Sequence, residues 1–347
     1  MRRRKLWIAF AILIVAAAIA VVVYLHSRAA PAAARLLPEC DGVLYMNVRL
    51  LRLAHVFSEA PPVSYDPDYE QFVKETGFQF ERDLDQAAFA LHAPPPTGTG
   101  DPGFFERARY SEIFIGHFDV QRAAAYFRKL ASGTEDYGGV TVYSIPHEGR
   151  TVRVAILGLN TVAVSNVPEP TVIHEMVDKY RAAAWPVSGP SLIRDHYRQV
   201  PLGSVAWALA QLPSKGPLLA LGSNFGIPVS SLAGATIISS ARYITALHLQ
   251  VEALTASEKD ARNLLDTLNT YLALLKTADI STAQGGADPD VKAFFDSLKV
   301  EEKGTRVALT ATVPQGFIRK ALTPPPSPPP SSQPAPPAKP KPPKRRH

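Results

Sequence analysis

The chain has one cysteine in 347 residues, Cys40, which excludes an intramolecular disulfide and any zinc site built from several thiolates. Its nine histidines are scattered, and no two are spaced i, i+2 or i, i+4, the separations common in metal sites. His174-Glu175 opens like a zincin motif, yet Asp178 stands where the second histidine belongs. The nucleophile elbow Gly-x-Ser-x-Gly is missing, because residues 222–226 read GSNFG with Asn224 at the centre. There is no P-loop, and Gly98 and Gly100 fall in a proline-rich stretch rather than at a strand-to-helix turn. No cofactor-binding pattern is present, and none is expected.

The fold also lacks a positive excess. The chain carries 37 Lys+Arg against 31 Asp+Glu, a net charge of +6. Arg2, Arg3, Arg4 and Lys5 supply four of these charges, and Lys339, Lys341, Lys344, Arg345 and Arg346 supply five. Taking those nine from +6 leaves residues 6–338 at −3. A nucleic-acid-binding domain would place a basic patch on the fold itself, so nucleic acid is not the expected partner. The 46% hydrophobic content excludes a wholly disordered chain.

What the sequence does have is an uncharged run of twenty residues, Leu6 to Leu25, with Trp7 and Tyr24 near its two ends. At about 1.5 Å per residue a helix of this length spans roughly 30 Å, the thickness of a bilayer core. Four basic residues precede it, so the positive-inside rule predicts a cytoplasmic N-terminus and an exported remainder. The competing reading is a cleaved signal peptide with Ala30-x-Ala32 as a small-residue cleavage site. The apolar run exceeds the typical signal-peptide core of about 7–15 residues, which favours an anchor. Cys40 is not a lipidation site, since Leu37, Pro38 and Glu39 do not form a lipobox. A partly buried thiol is the expectation for it.

The remaining chain divides by composition into a basic N-terminus (1–5), the transmembrane helix (6–25), an Ala/Pro linker (26–38), two units (39–200 and 201–322) and a tail (323–347). The tail is proline-rich and basic, and proline lacks the donor that regular structure needs, so disorder is expected. Asp66-Pro67-Asp68 reads as a helix start, with Gly77 as its terminator. Asp119 caps a helix whose apolar residues Val120, Ala123, Ala124, Phe127 and Leu130 recur with helical period. Strands are expected near 43–48, 87–91, 112–118, 140–145, 152–157 and 161–165. The second unit replays the order: strands near 205–210, 235–240 and 243–253, then a long helix capped by Ser257 with Asp260. A second Asp-Pro-Asp at 288–290 starts a short helix, and a hairpin turns at Lys303-Gly304. Short connections between neighbouring strands predict an α+β fold: two diverged units of mainly antiparallel sheet with helices packed on one face.

The segments FVKETGFQFERDLDQAAFAL, PECDGVLYMNVRLL and FFDSLKVEEKGTRVALTATVPQGFIRKAL resemble an uncharacterised family of bacterial exported proteins. The similarity covers most of residues 36–322. It implies one N-terminal anchor and a duplicated α+β region, and it carries over no functional residues.

Two candidate surfaces follow from the sequence. Residues 216–241 contain no charged side chain, and Leu218, Leu219, Leu221, Phe225 and Ile227 form a possible apolar groove for lipid, a partner helix or the membrane surface. A buried connection is the plainer reading of that segment. Lys339, Lys341, Lys344, Arg345 and Arg346 are possible electrostatic contacts of the tail with an envelope protein, lipid headgroups or an anionic polymer. Helix capping accounts for the Asp-Pro-Asp triplets without calcium, and Glu81 or Asp83 would be the acids of a hydrolase that nothing else singles out. The expected protein is a single-pass inner-membrane protein with a non-enzymatic binding or scaffolding domain outside the cytoplasm. A carrier or sensor of a hydrophobic ligand is the second expectation, and an envelope hydrolase the third.

Overall fold

A computed structural model describes residues 29–54, 66–94, 104–182, 189–214, 229–282 and 289–317. Its frame is one twelve-stranded sheet in which every neighbouring pair is antiparallel. The first half holds β1 (Gly42–Met46), β2 (Leu84–His92), β3 (Arg109–Gly116), β4 (Gly133–Tyr137), β5 (Val140–His147), β6 (Arg150–Ile156) and β7 (Thr161–Ser165). The second holds β8 (Ala206–Gln211), β9 (Thr236–Tyr243), β10 (Leu247–Leu254), β11 (Lys299–Lys303) and β12 (Arg306–Val313). The spatial order is β11-β12-β10-β9-β8-β1-β2-β3-β7-β6-β5-β4.

The helices are α1 (Ala32–Arg35), α2 (Val48–Leu53), α3 (Pro67–Thr76), α4 (Val120–Leu130), α5 (Thr171–Arg181), α6 (Ser191–His196), α7 (Glu258–Thr282) and α8 (Pro289–Ser297), with shorter helical turns between. Several begin where the sequence supplies an acceptor for an orphan backbone N–H. The Asp66 carboxylate accepts from the Asp68 N–H at 2.9 Å, and that of Asp119 from the Arg122 N–H at 3.0 Å. The Ser257 hydroxyl accepts from the Asp260 N–H at 3.2 Å and donates to its carboxylate at 2.6 Å.

Outward from the centre the two halves run alike. On one side the order is β1-β2-β3-β7-β6, and on the other β8-β9-β10-β12-β11. The halves join through β1 and β8, where Leu44 faces Phe89 on one side and Ala208 on the other. One buried core therefore includes Tyr45, Ile113 and Ala163 from the first half with Trp207, Leu209 and Ile238 from the second.

Helices lie on both faces of the sheet, not on one as the short connections predict. The reason is visible in β6 and β7, where adjacent residues are both buried: Val154 with Ala155, and Val162 with Ala163. Successive strand residues point to opposite faces, so each face needs a cover. On one face α1, α5 and α6 cover Tyr45, Ile113, Ala155 and Ala163. On the other, α4 packs on Val154 and Val162, while α7 packs Ala261 and Leu264 on Ala253 and Val307.

The expected linker is also corrected within the described residues. Ala33, Ala34 and Leu37 are completely buried, and α1 lies on β1, β2 and β3. Alanine and proline give this segment a linker's composition, but small side chains are what let a backbone lie close against a sheet. The Lys179 ammonium of α5 donates to the Leu37 carbonyl at 2.6 Å and fixes it there.

Candidate functional site

A cavity of 140 Å³ opens on the face covered by α3 and α4. Six phenylalanines line it: Phe72 from α3, Phe78 and Phe80 just after it, Phe114 from β3, Phe118 after β3, and Phe127 from α4. Val154, Val162 and Val164 make the floor, and Ala123 of α4 the roof. Phe78 and Phe118 stack with ring centroids 4.3 Å apart, whereas Phe80 meets Phe114 edge-on at 5.9 Å. The void lies between two apolar clusters, one around Phe78 and Leu84 and one around Val154 and Val162, and Phe118 packs against both. At about 24 cal/mol per Å³, leaving such a volume empty costs on the order of 3 kcal/mol. An apolar cavity of about 150 Å³ accommodates a benzene-sized molecule, so this one fits a single ring or the end of an alkyl chain.

The roof is held by polar contacts outside the cavity. Arg122 of α4 donates to the carbonyls of Glu75 and Lys74 at 3.0 and 2.8 Å, and so secures the C-terminus of α3. The Lys129 ammonium adds an ion pair to Glu75 at 2.6 Å. Gly77 ends α3 at φ 76°, and a Cβ there would sit 2.6 Å from the Arg122 guanidinium. At the mouth, the Thr76 hydroxyl donates to the Phe72 carbonyl at 2.7 Å and accepts from the Phe78 N–H at 3.2 Å. Asp119 is occupied as the helix cap. Neither offers the chamber a reactive group.

Glu112 lies on the same sheet face, two residues before Phe114 and directly across from Val164. Burial raises its pKa above the ordinary carboxylate range, and no neighbouring charge contributes to the shift. It is a carboxylate on a strand beside the cavity floor.

The acids considered for hydrolysis are engaged elsewhere. Asp83 pairs with Arg82 at 2.7 Å and accepts from the Gln79 N–H at 2.9 Å, which together hold its pKa low despite partial burial. Glu81 accepts from the Tyr69 hydroxyl at 3.0 Å. His174 stacks on Tyr137 with centroids 3.8 Å apart, and Glu175 pairs with Lys179 at 2.8 Å. His117 follows the last residue of β3, and His248 stands near the start of β10. Among the described residues no group of three His, Cys, Asp or Glu side chains is placed to hold a metal.

Leu218, Leu219, Leu221, Phe225 and Ile227 lie outside the described residues, as do Lys339, Lys341, Lys344, Arg345 and Arg346. The aromatic pocket is thus a site that the sequence reading missed. Its signal was the crowding of phenylalanine, nine of fifteen falling between positions 72 and 127.

The frame and pocket define an α+β protein with an apolar chamber beside a continuous antiparallel sheet. No family model and no curated protein matches the chain. Among solved structures, crystal form III of TP0453 is similar at TM-score 0.45 and 11% identity, covering 84% of this chain and 97% of that one. Crystal form I gives 0.43 and 12%, covering 84% and 98%, and form IV gives 0.43 and 10%, covering 84% and 96%. This likeness carries no argument about activity.

Proposed function

We propose that the protein is a membrane-anchored binding protein of the bacterial envelope, and that its aromatic pocket takes the apolar part of a small ligand. The observation that carries this reading is a 140 Å³ chamber lined by six phenylalanines and closed by a stapled pair of helices. Its polar neighbours are already satisfied, which favours binding over catalysis. The envelope location rests on the apolar run 6–25 and the basic residues before it, and those residues lie outside the described part. Among the described residues, no helix is long and apolar enough to cross a membrane. The matching strand orders of the two halves favour descent of the domain from a duplicated unit.

Indole is a suitable probe because its size matches the chamber. Full-length protein in detergent is expected to gain thermal stability saturably on indole addition. Ala123→Phe, which fills the roof position, should abolish the gain while leaving the far-ultraviolet dichroism unchanged. An equal shift in that variant would refute the reading.

A further inference from the structure

The two halves of the sheet part company in one respect. After β7 the chain forms α5, which returns across β6 and β7. After β12, the strand that matches β7 in order, the described residues hold only the first turn of a helix, 315–317. The same sheet face that is apolar beneath α5 is polar here, and its side chains stand in cross-strand register. Arg242 faces His248, and His248 faces Thr312. One rung along, Gln250 faces Thr310, and Thr310 faces Lys299.

These residues line a depression of 290 Å³, to which α8 contributes only Ser297 at its end. Among the described residues neither Arg242 nor Lys299 has an ion-pair partner. On this face Glu252 is held by Arg306 at 2.6 Å and by the Gln250 amide at 2.7 Å. Glu301 is exposed on the edge strand. The Ser297 hydroxyl is taken up by backbone groups of Phe294 and Thr312. The Thr312 hydroxyl and His248 Nδ1 lie 3.2 Å apart, so they present one shared polar edge to the depression. Two cations without an ion-pair partner among the described residues, an imidazole and the hydroxyls of Thr310 and Thr312 therefore line one depression.

We propose that this depression binds a phosphate group, with Arg242 and Lys299 pairing to its charge and Thr310, Thr312 and His248 supplying hydrogen bonds. Charge-assisted contacts from arginine and lysine are the ones that hold phosphate in water. The phosphate belongs either to a soluble molecule or to a phospholipid headgroup. The site is separate from the aromatic pocket and stands whether or not that pocket binds a ligand.

The test uses full-length protein in a zwitterionic detergent at low ionic strength, titrated by calorimetry. One arm uses inorganic phosphate; a second compares dihexanoyl phosphatidylglycerol with dihexanoyl phosphatidylcholine. Saturable binding in the first arm identifies a soluble phosphate as sufficient, and binding of phosphatidylglycerol alone identifies the headgroup. In either case Arg242→Gln with Lys299→Gln should weaken binding by roughly tenfold or more. The charge-preserving pair Arg242→Lys with Lys299→Arg should retain most of it, which separates lost charge from lost fold. Failure of both arms, or equal affinity in the glutamine pair, overturns the proposal.

Discussion

Gly77 shows how one residue sets the shape of the pocket. Its φ of 76° turns the chain out of α3, so that Phe78 is buried. Any side chain there meets both the left-handed penalty and the Arg122 guanidinium, so Gly77→Ala should destabilise by about 1–2 kcal/mol in urea denaturation. Glu112 gives a pH signature. Its folded pKa is raised by burial, so the folded state holds its proton to higher pH than the unfolded chain does. Stability then falls as pH rises from the ordinary glutamate range through the raised value. Glu112→Gln should remove that loss, leaving the variant more stable than the parent at neutral pH. Cys40 is predicted to be inert, because burial, helped by Asp41 and Glu39, pushes its thiol up to about 12. Its reaction with a disulfide reagent at pH 8 should be slower by roughly a hundredfold or more than in the unfolded chain.

At the level of elements, the parts that announced themselves were those governed by local chemistry. Asp66 and Asp119 accept from the N–H groups that their positions before a helix predict, and Gly304 turns its hairpin at φ 63°. β4 was not legible, since GTEDY has no apolar alternation and stands almost wholly exposed at the sheet edge. α1 was misread because Ala-rich sequence suits both a flexible tether and a tightly packed turn. The difference lies in what it touches. Leu37→Ala tests this directly: in a core it costs about 2–5 kcal/mol, and in a linker almost nothing. The pocket escaped detection for a related reason, its six rings being drawn together from four helical or loop segments and one strand. Helical and strand periodicities report the face a residue occupies, not which faces meet.

For the whole molecule, the joining of β1 to β8 makes two halves into a single sheet, with two open edges among the described residues. Both are guarded by charge: Glu135 and Asp136 on β4, and Lys299, Glu301, Glu302 and Lys303 on β11. Such edges resist pairing with another copy. The sheet's continuity was hidden from the sequence because β1 and β8 lie more than a hundred and fifty residues apart. Locally, each strand predicts only that it has neighbours.

The burial of α1 bears on how the chain matures. Cutting the peptide bond after Ala32 would create a new N-terminus at Ala33, which is completely enclosed. The ammonium formed there would have to be desolvated, at a cost of several kcal/mol, or the segment would have to leave the sheet. Ala30, 7% exposed, would be lost from the core as well. Protein isolated from its native source should therefore show an intact mass that excludes a terminus at Ala33. A chain made to begin at Ala33 should melt at a lower temperature than one beginning at Arg28.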